Sequence, residues 1–520
     1  MFSRLIQVFP NKNKYMLIEE VILHFMPQIF ENYNVESKSL IRITRNADID
    51  IDEIFADEDI SYRESMEELI RMRKKLCPIR MEYSRVLDEK VIKSLCKELG
   101  LNKKQTFYSK APLDLSFVFK IQDILRNNRE LFFKRRVPQI SKNIDENKSM
   151  MEQIENKDIL LSYPFESMTS FINLLKEAAH NENVASIKMT LYRVAKNSQV
   201  VEALIDAAEH GKEVVVMVEL RARFDEQNNI DWSERLEEAG CRVIYGFDGY
   251  KVHSKICLIT YRSRGEIQYI TQIGTGNYNE KTAAMYTDLS LMTANSAIGK
   301  DAAEFFKNMS IGNLAGQYDY LIVSPTSLKQ KILYLMDEEI KKGSNGRIIM
   351  KMNSVTDVDF IQKVSEASRS GVKVDLIVRG ICCILPGVTG YTDNVRVMSV
   401  VGRYLEHPRI FSFGSGNDQK IYIGSADMMT RNTEKRVEVA APILDQDICR
   451  QINHYLKVML SDNVKARVLG SDGKYRRKEQ KEPYIDSQNV FMQEALQAKP
   501  PQEVPEKIGL LKRIGRIFSR

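Results

Sequence analysis

The sequence predicts an α/β fold: a mixed α/β N-terminal domain followed by two β-α-β repeats, each a parallel sheet covered by helices. Three observations predict it. A chain of 520 residues exceeds what one hydrophobic core organises. Its 43% hydrophobic and 28% charged residues are those of a globular protein, and no apolar run approaches the roughly 20 residues that span a bilayer. Most telling, residues 185–290 and 346–440 follow one plan.

The start, "MFSRLIQVFPNKNKY", has neither the apolar core nor the small-residue cleavage site of a signal peptide. The N-terminal domain is assigned to 1–156. Within it "RITRNADIDIDE" and "APLDLSFVF" read as strand and turn pieces, and "SMEELIRMRKKL" as an amphipathic helix that packs or mediates self-association. The first repeat, assigned to 157–322, opens with the β-rich "ASIKMTLYRV". The helix "SQVVEALIDAAEHG" follows, its face marked by Val200, Val201, Leu204, Ile205 and Ala208 and its end by Gly211. A buried strand, "EVVVMVEL", completes the unit. The second repeat, 323–470, matches it with "GRIIMKMNSV", then a helix with Phe360, Ile361, Val364 and Ala367 on one face and Gly371 past its end, then "VKVDLIVRG". Short connections between parallel strands require helices on the sheet faces.

A polar, Pro-punctuated linker and a basic tail are assigned to 471–520. In the last 14 residues Ile508, Leu511, Ile514, Ile517 and Phe518 recur at helical spacing, with Lys507, Lys512, Arg513, Arg516 and Arg520 on the other face. That pattern suits either a solvated tail or an amphipathic anchor for a membrane or polyanion. A net charge of +6 permits an anionic partner without demanding one. The seven cysteines form no C-x-x-C pair and no zinc spacing with histidine, which reads as reduced thiols in a cytoplasmic protein.

The repeats also agree at polar positions. His253-x-Lys255 precedes "ICLITY" and then the turn "GTGN" (274–277); His407-x-Arg409 precedes "IFSF" and then "GSAD" (424–427). Asp288 stands eleven residues after Asn277, and Glu438 eleven after Asp427. A lone H-x-K is nearly worthless as a signal. Duplicated packing explains the β-α-β plan but not the retention of His, Lys/Arg and Asp/Glu.

These residue types suit phosphoryl chemistry. A neutral imidazole offers a nucleophilic nitrogen, and a carboxylate on the other ring nitrogen fixes its tautomer. Lys255 and Arg409, two residues from their histidines on a strand, share a face with them. The catalytic candidates are therefore His253, His407, Lys255, Arg409, Asp288 and Glu438. Gly-small-x-Asn turns let an anion approach the backbone, which makes Asn277 a candidate binding residue. Arg193, Arg223 and Arg379 follow buried strands, at the end of an α/β sheet where ligands sit; with Lys255 and Arg409 they make five cations, which suit a polyphosphorylated ligand.

The paired H-x-[KR] with its downstream turn resembles the phospholipase D-like superfamily, in which two repeats face each other around one shared site. The Asp usual five positions after the Lys/Arg is replaced by Thr260 and Gly414, which argues against an ordinary phosphodiesterase. More specifically, "YPFESMTSFINLLKEAA", "SIKMTLYRVA", "VELRARFDEQNNIDW", "GYKVHSKICLI", "IGTGNYNEKTAAMYTDLSL" and "RYLEHPRIFSFG" resemble polyphosphate kinase of the first type, from Arg4 to about residue 468. The resemblance implies reversible transfer of the ATP terminal phosphate to inorganic polyphosphate through a phosphohistidine. By it His253 stands at the phosphorylated position and His407 at the second histidine. Tyr286, Arg379 and His407 fall on positions associated with ATP, and Arg193 and Arg223 on positions associated with Mg2+. Guanidinium has no lone pair, so these arginines are expected to hold the phosphates that carry the metal. In the family a helical domain precedes the segment matched here and supplies an asparagine near the base; this chain is expected to lack it.

Expected partners are ATP, ADP and inorganic polyphosphate, with self-association and a peripheral contact of the tail at the inner membrane face, and no specific nucleic acid. The competing classes are a phospholipase D-like phosphodiesterase and a catalytically impaired protein that binds polyphosphate or nucleic acid.

Overall fold

The computed structural model describes residues 3–9, 14–46, 63–64, 66–68, 76–222, 225–247 and 249–497. It divides into two compact units, 1–135 and 136–520. The first is mixed α/β, as expected. A short hairpin pairs Leu5–Gln7 with Tyr15–Leu17, and a three-stranded sheet runs Ile41–Arg45, Pro78–Tyr83, Thr106–Tyr108. Helix Glu89–Leu99 begins where the Asp88 carboxylate accepts from Lys90 N–H and ends at Gly100, whose φ of +66° is costly for any residue with a Cβ. Its Ile92 and Cys96 pack with Met81 and Leu101. Most of the helix read at "SMEELIRMRKKL" and the "ADIDIDE" stretch lie outside the described residues.

The second unit holds both repeats. Helix Gln199–Glu209 is capped by Ser198, which accepts from Val201 N–H, and is followed by Gly211 at φ +77°. Helix Val358–Arg369 is capped by Asp357, which accepts from Phe360 N–H, and is followed by Gly371 at φ +91°. Val200, Val201 and Leu204 are buried, as are Phe360, Val364 and Ala367, while Ile205, Ala208 and Ile361 sit at the edges of their faces.

Each sheet is parallel only over three strands: Val184–Leu191, Glu213–Val218 and Arg242–Tyr245 in the first, and Arg347–Met352, Lys373–Val378 and Val395–Val400 in the second. Both continue antiparallel, through Ile256–Ser263, Glu266–Gly274 and Tyr286–Thr293, and through Arg409–Phe413, Lys420–Gly424 and Arg436–Pro442. The wholly parallel sheet expected from β-α-β spacing is thus corrected. The reversal begins where Ile256–Ser263 and Arg409–Phe413 run antiparallel to Val184–Leu191 and Arg347–Met352; a two-residue hairpin then joins Ile256–Ser263 to Glu266–Gly274, and there Arg264 and Gly265 both adopt positive φ, 52° and 82°, which matches the twist of the flanking strands.

The repeats exchange edges. Lys251–Val252 pairs in parallel with Arg436–Pro442 of the second sheet, and Leu405–Glu406 pairs in parallel with Tyr286–Thr293 of the first. Hydrophobic clusters cross the same seam: Met217, Val252 and Ile256 pack with Val437 and Val439, and Leu289 and Leu291 with Ile410 and Ile423. Two clusters shared across the seam therefore hold both repeats in register.

The stretch read as a linker is partly folded. Helix Ser487–Gln497 buries Phe491 and Met492, and the Phe491 ring stacks on Tyr455 at 4.6 Å. Buried Asp462 accepts from both Ser487 N–H and Ser487 Oγ, starting the helix. The polar residues around a single aromatic–Met pair hid this in the sequence. The basic amphipathic tail lies outside the described residues. Among the described residues no helix is long and apolar enough to cross a membrane.

Candidate active site

The exchanged strands decide which side chains meet. Val252 is in register with Val437, and His253 N–H donates to Val437 O at 2.9 Å, so the imidazole comes to rest beside the next residue, Glu438. His253 Nδ1 lies 2.9 Å from Glu438 Oε2. On the other side Glu406 is in register with Thr287, and His407 N–H donates to Thr287 Oγ1 at 3.2 Å. His407 Nδ1 lies 2.9 and 3.0 Å from the two carboxylate oxygens of Asp288. Each histidine is therefore held by the carboxylate of the opposite repeat.

The Gly-small turns do something other than expected. Thr275 Oγ1 donates to Asp288 Oδ1 at 2.7 Å, and Ser425 Oγ donates to Glu438 Oε2. A Cβ on Gly276 would lie 2.1 Å from Asp288 Oδ2. These turns hold the carboxylates. Asn277 stands beside them with its Oδ1 buried and unpaired.

Cations surround the pair. Lys255 is 1% exposed; its ammonium donates to His253 O and lies 5.1 Å from the Tyr192 ring centroid, itself edge-on to His253. Arg409 is 4% exposed and reaches across the seam to donate to Thr275 O at 3.0 Å. The same guanidinium lies 3.1 Å from His407 Nε2 and 3.1 Å from Asp427 Oδ2. Arg379 Nε donates to Asn353 Oδ1 at 2.8 Å, and Asn353 in turn donates to Asp427. The Tyr286 ring is 5.5 Å from His407. Arg193 is half-exposed and pairs with Asp225 at 3.2 Å. Arg223 lies outside the described residues.

Burial sets the protonation. It drives the proton affinity of His253 well below the usual imidazole range, and Lys255, Arg436 and Arg409 push the same way. His407 is lowered by burial and Arg409, with Asp288 opposing. The Lys255 ammonium is pushed well down by burial. Burial pushes the Glu438 carboxyl up against the opposing pull of Lys255. Burial pushes the Asp427 carboxyl up, but Arg409, the Asn353 N–H and His407 together hold it below the usual carboxylate range. Both imidazoles are thus neutral at pH 7, with Nδ1–H donated to a carboxylate. The second nitrogen distinguishes them: Nε2 of His407 faces Arg409, whereas among the described residues no hydrogen bond engages Nε2 of His253.

Behind His407 lies a buried polar network that sequence reasoning missed. Lys351 and Glu406, both 2% exposed at the side chain, pair at 3.0 Å. Glu406 also accepts from Thr287 Oγ1 at 2.9 Å and from Gln488 Nε2 at 2.7 Å, tying the C-terminal helix to the exchanged strand. Removing one partner of such a pair typically costs about 3–5 kcal/mol. The one available signal was a lysine inside the apolar run "IIMKM". Arg436, 3.8 Å from Glu438, and Asn432, donating to Glu438 at 3.2 Å, were also missed, because "RNTEKRVEV" reads as an ordinary charged strand entrance.

Three family models match the chain: a polyphosphate kinase middle domain over residues 1–121, and polyphosphate kinase C-terminal domains 1 and 2 over 149–315 and 321–488. Polyphosphate kinase of Bacillus cereus is 42% identical over 470 residues, covering 89% of this chain and 66% of that one. Polyphosphate kinase of Halalkalibacterium halodurans is 41% identical over 488 residues, covering 92% and 69%. The crystal structure of polyphosphate kinase from Porphyromonas gingivalis matches with a TM-score of 0.79 at 32% identity, over 95% of this chain and 73% of that one. The chain spans about two thirds of the length of these curated relatives.

Proposed function

The chain belongs to the polyphosphate kinase family, and from that premise we propose that it moves the terminal phosphate of ATP onto inorganic polyphosphate, reversibly, through a phosphohistidine at His253. The observation that carries this reading is a buried, neutral His253 whose Nδ1 is held by Glu438 and whose Nε2 meets no hydrogen-bond partner among the described residues. In-line attack by Nε2 on the γ-phosphorus forms the N–P bond as the bond to the ADP oxygen breaks. Positive charge that develops on the ring is stabilised through Nδ1–H by Glu438. Phosphoryl transfer has a loose transition state with charge on the equatorial oxygens, so catalysis rests on positioning and cations. Lys255 and Arg409 supply those cations at the site, and Arg379 and Arg193 extend them outward. His407, oriented by Asp288, is proposed to meet the bridging oxygen, and Tyr286 and Asn277 the nucleotide. A terminal polyphosphate oxygen then attacks the phosphohistidine, returning the imidazole to its starting state.

Arg193, lacking a lone pair and already paired with Asp225, does not fit a metal ligand. MgATP is therefore written as the substrate, with its metal carried on the phosphates, and no step is assigned to a resident ion. A cytoplasmic location and self-association belong to the same proposal. So does contact of the basic stretch 507–520 with an anionic surface, supported by its amphipathic pattern.

The test is labelling with [γ-32P]ATP. Acid-labile, base-stable label is expected on the native chain and not on His253→Asn. Label persisting in that variant would overturn the assignment of the nucleophile.

A further inference from the structure

Away from this site, the first repeat brings two of the six histidines together on its surface. His180 closes helix Thr169–His180, and His210 follows helix Gln199–Glu209. Asp206 stands one turn before His210 on the same helix face. The two helices pack side by side, and their last turns meet. There the imidazoles lie 4.2 Å apart, edge to face. His180 Nε2 is 2.9 Å from Asp206 Oδ2, and His210 Nδ1 is 3.2 Å from Asp206 Oδ1. One ligand atom from each side chain falls within 4.8 Å of the others.

We propose that His180, Asp206 and His210 bind a divalent late first-row transition ion such as Zn2+, which clamps the ends of these two helices. The donor set argues for the metal class: two imidazole nitrogens and one carboxylate oxygen suit Zn2+, Co2+, Ni2+ or Cu2+, whereas Mg2+ prefers an all-oxygen octahedron. Geometry agrees. Tetrahedral bonds of 2.0–2.1 Å separate ligand atoms by about 3.3 Å, so the three groups need only small rotations to close on one ion. All three side chains are substantially exposed, at 56%, 35% and 47%, and ligation by His210 Nδ1 exchanges its 2.8 Å hydrogen bond to the Asp206 carbonyl oxygen for a bond to the ion.

The local field points the same way. Both histidines sit at helix C-termini, where the macrodipole favours a cation. Lys212 Nζ donates to Asn181 O at 2.7 Å, capping the carbonyl that follows the first helix and leaving the three side chains as the donors. No wall excludes water from this exposed position, and water completes the coordination. The ion's role is therefore a cross-link between helices of the first repeat.

Chelator-treated, tag-free full-length protein titrated with Zn2+ in excess Mg2+ is expected to take up one equivalent at this position and to gain in unfolding temperature. His180→Ala and His210→Ala should each weaken that uptake at least about tenfold and cancel the thermal shift, with secondary structure and zinc-free MgATP turnover unchanged. Co2+ at the same position should give weak visible bands typical of nitrogen and oxygen donors. Equal uptake by the variants, displacement by Mg2+, or cobalt bands showing sulfur charge transfer from the exposed Cys77 or Cys383 would each overturn the proposal.

Discussion

The two half-sites carry the same parts, yet they are poised differently. In one, His253 is held by Glu438 across the seam, with Ser425 behind the carboxylate; in the other, His407 is held by Asp288, with Thr275 behind it. The differences are the cation and the second nitrogen. Lys255 turns back to its own histidine's carbonyl and leaves Nε2 of His253 unengaged among the described residues, whereas the longer, forked Arg409 spans His407, Thr275 and Asp427 together. Duplication supplies symmetry, and a Lys/Arg difference breaks it: the shorter Lys255 leaves one imidazole open to the proposed attack, and a fork ties the other into a scaffold.

The most direct way to break this comparison is to remove each imidazole in turn. His253→Asn is expected to abolish ATP turnover and labelling together, a loss beyond about 10⁴-fold. His407→Asn should lose about 10²–10⁴-fold in turnover, the scale of general acid–base help, while still accumulating label slowly. Quench-flow labelling of both variants checks it. If His407→Asn alone loses all label, the roles are reversed.

Next in size are the crossed carboxylates. Glu438→Gln should slow phosphohistidine formation by about 10²-fold or more, because the amide no longer stabilises the charged ring. Asp288→Asn acts through His407 and should lower kcat with label formation less affected. Single-turnover rates, with KM recorded separately, separate the two. Identical profiles would mean that the halves are not divided in labour.

The turns sharpen the comparison further. Position for position, Gly276 in "GTGN" corresponds to Ala426 in "GSAD". The second repeat carries a buried Cβ there, on Ala426, and its carboxylate comes from Glu438, one methylene longer than Asp288. Gly276→Ala would instead collide with Asp288 at 2.1 Å and displace it from His407. A stability loss of about 1–3 kcal/mol is expected, read by denaturant unfolding, with a fall in kcat resembling that of Asp288→Asn.

How much of this was legible follows from what physics acts locally. Helix faces, caps and glycine stops of both repeats were readable, because periodicity and φ > 0 are properties of a few neighbouring residues. So were the paired His, Lys/Arg and Asp/Glu positions, through duplication. The crossing was not. It rests on two two-residue strands, Lys251–Val252 and Leu405–Glu406, too short to leave any pattern and held by partners 119 to 185 residues away. The Glu406–Lys351–Gln488 network was hidden for the same reason: apart from Lys351 in its apolar run, each residue looks like an ordinary surface polar group until the chain folds.

The smallest effect is on stability against pH, and its sign tests the burial of both imidazoles. In the folded state His253 and His407 titrate below the ordinary imidazole value of about 6.5, burial being the first cause for each. As pH falls below that value the unfolded chain binds protons that the folded chain refuses, so the unfolded state is favoured. Their contribution is complete above about pH 6.5 and is lost as pH falls toward the lowered folded values. Glu438, raised by burial, acts oppositely above the ordinary Glu value, where the folded carboxyl keeps a proton longer than the unfolded one. Comparing the native chain with His253→Asn/His407→Asn isolates the imidazoles: between pH 7 and 5 the native unfolding midpoint should fall more steeply than that of the double variant. Equal slopes would mean that the two rings take up protons as readily in the fold as in water, and the neutral, attack-ready imidazole would have to be given up.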